Sequence, residues 1–202
     1  NRNKIRTADG WMWLTVPVKT KGRFKRLPVN EVKINNAVPW KKKHWRSLQF
    51  NYSKSPFFND HAEFFEEIYH REWILLLDLC TKINGYLAEV LNISTHIKSS
   101  SAMSPEGNKA ELVLNLCQSS EADVYLSGPL GKRYLDEEKF DDAGVEVRYC
   151  QPKFSDYSQV FSGPFEASMS VLDMIFNVGK MEMCELCASD NLAGKPEAES
   201  HK

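Results

Sequence analysis

Apolar and polar positions change their period several times along this chain, and each change marks an element. Trp11-Met12-Trp13-Leu14-Thr15-Val16-Pro17-Val18 is rich in β-formers and predicts a strand, with Pro17 confining it to an edge or a bulge. A turn at Asp9-Gly10 would fold it back on an extended residue 1–6 segment as a hairpin. Beyond a basic loop from Lys19 to Arg26, a second strand is expected over Val29–Ile34, where Val32 and Ile34 alternate with Lys33. Trp40, His44, Trp45, Leu48 and Tyr52 then fall on one helical stripe, which Lys54-Ser55-Pro56 ends. A helix from Asn59-Asp60 should bury Phe64, Phe65 and Ile68. A longer one from Trp73 should turn Ile74, Leu77, Cys80, Ile83, Leu87 and Val90 or Leu91 inward; Gly85 weakens it by roughly 1 kcal/mol relative to alanine.

Thr95-His96-Ile97 reads as a short strand, and Ser104-Pro105-Glu106 as the start of a helix burying Ala110, Val113, Leu116 and Cys117. From Ala122 the pattern is sharpest. Asp123-Val124-Tyr125-Leu126 is a short strand ended by Ser127-Gly128-Pro129. A polar helix follows, with Asp136 as N-cap and Glu137 and Glu138 in its first turn. Gly144 stands at its C′ position, and a second strand alternates from Val145 to Gln151. Such a βαβ unit makes its two strands parallel. The order of elements predicts an α/β fold: a single domain with a mainly parallel sheet flanked by helices, plus an N-terminal basic β-hairpin and helix. Phe154, Tyr157, Phe161 and Phe165 lack a period and suggest a packed loop, and Ser170–Asn177 is the last expected helix, closed by Gly179. From Glu182 the chain reads as a polar tail, with no apolar surface to order it beyond Ser189; the domain is accordingly placed at 1–183 and the tail at 184–202.

The 202 residues suit one domain. The longest clear apolar run, Trp73 to Leu77, is five residues, so no membrane-spanning helix is expected. Five scattered cysteines favour a reducing cytosol over a disulfide framework. Net charge is −1, yet its distribution is lopsided: residues 1–54 hold fourteen Lys and Arg against two acids, Asp9 and Glu31. A basic half beside an acidic half points to an anionic ligand, to electrostatic packing within the chain, or to both.

Gly128-Pro129-Leu130-Gly131-Lys132 departs from the P-loop pattern, because two residues separate its glycines and Arg133 stands where Ser or Thr is needed. Free N–H groups at Gly128, Leu130 and Gly131 would still suit an anion, with Lys132 as countercharge, and the position beyond a strand's carboxyl end is where open sheets bind ligands. A plain structural turn explains the same residues. His44 has the chemistry of a general base, although its place on the Trp40–Leu48 stripe also suits a packed, hydrogen-bonded histidine. His61, His70 and His96 show no ligand-like spacing. Cys184-Glu185-Leu186-Cys187 has half a zinc site's spacing with no second pair to complete it, so no metal site is expected. Tryptophans 11, 13, 40 and 45 among cations would serve nucleic acid or a sugar-linked anion; their core-like spacing predicts that most are buried, which disfavours nucleic acid. Asp173 and Asn177 share one polar face of the last helix, facing either buried loop backbone or a site.

Several segments together carry a resemblance: Asn1-Arg2-Asn3-Lys4-Ile5, Gly10–Val18, Trp40-Lys41-Lys42-Lys43-His44-Trp45, Tyr125-Leu126-Ser127-Gly128-Pro129, Tyr134-Leu135-Asp136, Phe140-x-x-Ala143-Gly144-Val145 and Ser170–Gly179. In order and spacing they resemble the WbqC-like protein family over nearly everything up to about residue 180. The resemblance implies a bacterial cytoplasmic protein of surface-polysaccharide biosynthesis, such as that of O-antigen or capsule, transferring a group onto an activated sugar or amino sugar. It implies a nucleotide-linked sugar or other anionic small molecule as partner, with an acyl or aminoacyl donor, and names no cofactor. On this reading His44 is the catalytic candidate, and Asn3, Lys43, Ser127, Gly128, Leu130, Gly131 and Lys132 bind ligand between the Ser127-Gly128-Pro129 turn and the basic N-terminal layer. Family members usually begin with a strand and a His-Gln-Pro loop before the Asn-Arg-Asn segment; this chain lacks both, and a truncated domain is expected. A non-catalytic binding or scaffold protein of the same pathway is the alternative, followed by a nucleic-acid-binding module.

Overall fold

The computed structural model describes residues 1–19, 27–150 and 155–188, the last five of them as backbone only. The chain divides into two compact units, one of Asn1–Ser94 with Ser155–Leu186, the other of Thr95–Phe154 with Cys187–Lys202.

The first unit opens on the expected hairpin. β1 (Arg2–Thr7) pairs antiparallel with β2 (Gly10–Thr15), Thr7 facing Gly10 across Ala8-Asp9. Alternation buries Ile5 and Leu14. β3 (Val18–Lys19) pairs antiparallel with β4 (Lys33–Ile34). The second strand is shorter than the apolar pattern suggests, because Val29–Glu31 winds into a 3₁₀ turn; most of the basic loop lies outside the described residues. α1 (Trp40–Tyr52) forms as predicted, burying Trp40, His44, Leu48 and Tyr52, and α2 (Phe58–His70) buries Phe58, His61, Phe65 and Ile68.

α3 (Leu76–Val90) starts later and in a different phase than expected. Residues 73–75 stay outside the helix and Leu75 is extended, bridged antiparallel to Lys33, because Ile34 N–H donates to Ile74 O and Leu76 N–H to Val32 O, both at 2.8 Å. Leu76 and Leu79 therefore face the core, while Ile74 and Cys80 are exposed. They join Ile34, Trp40, Ile68 and Trp73 in one apolar cluster.

In the second unit the predicted Thr95–Ile97 strand is absent, and Ile97 is exposed. A short helix, α4 (Ser100–Met103), ends at Ser104 in a left-handed conformation, so Pro105 does not begin the next helix; α5 starts at Ala110 and runs to Ser119. The βαβ unit is as read: β5 (Val124–Ser127), a 3₁₀ turn over Pro129–Arg133, α6 (Glu137–Asp142) and β6 (Glu146–Tyr149), with β5 and β6 parallel. Gly144 takes φ +73°, the left-handed value that lets the chain leave α6 and turn into β6. Cys117, Phe140 and Val145 form this unit's core. Parallel pairing is confined to β5–β6; the other four described strands form two antiparallel pairs, so the expected mainly parallel sheet is replaced by three small ones.

The chain then returns to the first unit. An irregular stretch holds Tyr157 and Phe165 edge to face, centroids 5.0 Å apart. α7 (Val171–Asn177) follows, its N-cap Ser170 accepting the Leu172 N–H. Every residue from Asp173 to Val178 is buried. Where a polar tail is expected from Glu182, the backbone continues as α8 (Gly179–Ala188), which buries Met183. The disorder expected beyond Ser189, and the side chains of Cys184 and Cys187, lie outside the described residues. No described helix is long and apolar enough to cross a membrane.

Candidate functional site

α1 and the hairpin turn shape an opening in the first unit. Asp9 and Met12 from the hairpin, with Lys42, Lys43, Arg46 and Phe50 from α1, line a groove of about 870 Å³, within the roughly 300–1,000 Å³ of small-molecule sites. Polar spacing on α1 produces it: the stripe at 40, 44, 48 and 52 goes inward, which sends 42, 43, 46 and 50 outward. The helix start is electrostatically unusual. α1 has no acid in its first turn and no side chain on its N-terminal amides; it carries Lys41, Lys42 and Lys43 there instead. Lys41 Nζ donates to Arg71 O at 3.1 Å; the Lys42 and Lys43 charges stand against the positive end of the helix dipole, and each costs about 0.3–1 kcal/mol unless an anion offsets it.

His44 turns the other way. It is buried, edge-on to both Trp40 and Tyr69, and its Nε2 lies 3.1 Å from Thr15 O. Burial outweighs that hydrogen bond and holds its pKa down at about 4, with Lys43 adding to the depression. The ring is therefore neutral at pH 7, and Nε2–H donates to the carbonyl, tying α1 to β2. Asn3 is exposed and accepts the Lys4 N–H on its own side chain; unlike Lys43, it does not line the groove.

Behind the hairpin lies a buried polar network that periodicity could not describe. Asp173, 0% exposed, accepts the Tyr52 hydroxyl at 2.6 Å, the Tyr157 hydroxyl at 2.7 Å and Gln159 Nε2–H at 2.8 Å. Tyr52 Oη in turn accepts the Arg6 N–H. Burial, reinforced by the Asp173 charge, pushes both tyrosine hydroxyls far above their usual range. Asn177 donates to Asp173 O and accepts from Ser55 Oγ. The polar pair on α7 thus ties β1, α1 and the 155–169 loop to that helix. Arg6 is itself buried; its Nη1 donates to Thr7 O and Gly10 O, fixing the turn beside the groove.

The remaining expected site residues belong to the second unit. Ser127 is buried, with Oγ donating to Gly128 O. Gly128 is open: an added Cβ would meet nothing within 4 Å. Gly131 is not, since an added Cβ would run into Ser127 Oγ and come within 3.0 Å of Leu135 Cδ1. Its N–H also donates to Gly128 O at 3.0 Å, so it is not the free donor the sequence suggested. Leu130 is exposed, and Lys132 Nζ lies over the Tyr149 ring, 5.0 Å from its centroid. Gly131→Ala should cost about 1–3 kcal/mol through overpacking, whereas Gly128→Val should stay within about 0.5 kcal/mol of the parent chain. Urea unfolding of both variants checks this contrast; equal midpoints would remove the structural role given to Gly131.

Trp11 and Trp13 are exposed at 43% and 40%, contrary to the expected burial, while Trp40 is buried. Both lie on the outward face of β2, where Lys4 Nζ sits 4.1 Å from the Trp11 centroid and Arg2 Cζ 4.4 Å from that of Trp13. Among the described residues no group of three His, Cys, Asp or Glu is placed to hold a metal ion.

A small mixed α/β protein with a basic hairpin–helix groove is the class these features define. The chain belongs to the WbqC-like protein family, whose model matches residues 1–185. It is 38% identical over 181 residues to "Uncharacterized protein Rv1507c" of Mycobacterium tuberculosis, covering 89% of this chain and 77% of that protein. No solved structure matches it significantly.

Proposed function

We propose that this protein binds a nucleotide-linked sugar in the groove between the hairpin turn and α1, and serves cytoplasmic surface-polysaccharide biosynthesis by presenting that sugar for group transfer. The observation that carries the reading is the α1 start, where Lys42 and Lys43 line an open groove and no acid offsets the helix dipole. A diphosphate supplies the missing charge, with the Lys42 and Lys43 ammonium groups as donors. The pathway rests on the likeness to WbqC-like proteins. In the transfer, a sugar hydroxyl or amine bonds to the acyl carbon of an acyl or aminoacyl donor, and the leaving group departs with the electron pair and takes up the proton. Asp9 is the carboxylate lining the groove; His44, neutral and engaged with Thr15, holds the groove's helix to the hairpin.

Calorimetric titration with nucleoside-diphosphate sugars tests the reading. Lys42→Gln with Lys43→Gln should weaken binding at least tenfold, by about 1.5–3 kcal/mol for charge-assisted contacts, and raising the salt should weaken it in the parent chain. No binding, or unchanged binding by the double variant, contradicts it. The same titration with Gly128→Val asks separately whether the second unit's open turn takes part. The Trp11–Trp13 face with its two cations favours one competing reading, a single-stranded nucleic-acid module. An oligonucleotide that binds more tightly than any nucleotide sugar would select it.

A further inference from the structure

A second cavity, of about 310 Å³, opens among α2, α3 and the α7–α8 corner. His61 and Tyr86 line it, with Phe57, Asp60, Glu89 and Lys180. His61 is only 7% exposed. Its Nδ1 lies 2.6 Å from the Tyr86 hydroxyl, while its Nε2 has no hydrogen-bond partner among the described residues. Tyr86 cannot swing away: its ring stacks on Phe64 at 3.7 Å and 8°. Burial lowers the imidazole pKa against the pull of Asp60, which keeps the ring neutral near pH 7. Asp60 and Glu89 form no ion pair among the described residues. Behind burial, both charges help to raise the Tyr86 pKa, and both residues line the cavity beside it.

A neutral imidazole with an unpartnered Nε2, two unpaired carboxylates and the aromatic Phe57 and Tyr86 make a poor site for an anion. They suit a group that brings several N–H donors and one positive charge. The geometry points to a second ligand site here, for a small molecule carrying a primary ammonium group. One N–H is donated to His61 Nε2, made an acceptor when Nδ1–H donates to Tyr86 Oη, and Asp60 and Glu89 hold the charge. An α-amino acid and an amino sugar share this chemistry. Lys180 separates them, since it would hold the carboxylate of the first and has nothing to hold on the second.

The test is calorimetry on the full chain with L-alanine and with glucosamine, each beside its counterpart lacking the free amine, L-lactate and N-acetylglucosamine. One of the two amines should bind, with its counterpart at least tenfold weaker. Asp60→Asn combined with Glu89→Gln, at two exposed positions and with circular dichroism checking that the fold is kept, should weaken the amine at least tenfold. If alanine binds, Lys180→Gln should weaken it; if glucosamine binds, Lys180→Gln should leave it unchanged. Lys42→Gln should spare amine binding, which keeps this result separate from that of the groove. Failure of both amines to bind at millimolar concentration, equal binding of the amine-free counterparts, or full binding by the double variant overturns the assignment.

Discussion

Asp173→Ala should lower the unfolding free energy by about 3–5 kcal/mol, the range for stripping a partner from a buried charged network. The carboxylate is fully buried and accepts three side-chain donors; its loss leaves the Tyr52 and Tyr157 hydroxyls without an acceptor, while Gln159 Nε2–H keeps Glu166 O. Each orphaned donor costs about 1–3 kcal/mol, partly relieved by relaxation. Tyr52→Phe should be milder, about 1–3 kcal/mol, because it removes one member and leaves the Arg6 N–H unpaired. Urea titration gives both values from midpoint and slope. An Asp173→Ala loss under 1 kcal/mol would mean that the network is not what joins β1, α1 and α7.

The second large effect is a pH dependence centred on His44. In the unfolded chain the imidazole titrates near 6.5, and in the folded protein near 4. Above pH 6.5 both states carry a neutral ring, and the stability is complete. Between 6.5 and 4 the unfolded state binds a proton that the folded state refuses, so stability falls as pH falls, by up to about 1.4 kcal/mol per unit. Integrated over that window the loss is roughly 3 kcal/mol, and below pH 4 the imidazole contributes no further slope. His61, whose pKa is also lowered by burial, adds in the same direction. His44→Gln, which keeps an amide to donate to Thr15 O, should flatten most of this slope in denaturant titrations at pH 7, 6, 5 and 4.5. An unchanged slope would show that the ring is protonated or solvated in the folded chain.

What the sequence disclosed follows from which forces are local. The α1 stripe and the βαβ unit from Val124 to Tyr149 are set by period and turn residues close in the chain, and both form as read, except that Asp136 stands at the N-cap of α6 without a side-chain hydrogen bond to the helix. The start of α3 was hidden because Ile34 N–H bonds Ile74 O across forty residues, holding residues 73–75 out of the helix and shifting its phase. Pro105 looked like a helix start, but Ser104 turns left-handed just before it and α5 begins at Ala110. α8 was concealed because its apolar residues form no amphipathic stripe, although Met183 is buried. For the site, the Lys41–Lys43 run was visible as charge, but its position against the hairpin turn required the fold. The pairings of Asp173 with Tyr52 and Tyr157, and of His61 with Tyr86, span loops that no local pattern marks.

The measurement closest to the central claim is hydrogen–deuterium exchange with and without a saturating nucleoside-diphosphate sugar, UDP-glucose being the first probe. The account predicts slowed exchange over the hairpin turn at residues 7–12 and the first turns of α1 at 40–47, reduced in the Lys42→Gln, Lys43→Gln double variant. Unchanged exchange in both segments with a ligand that calorimetry shows to be bound would contradict it.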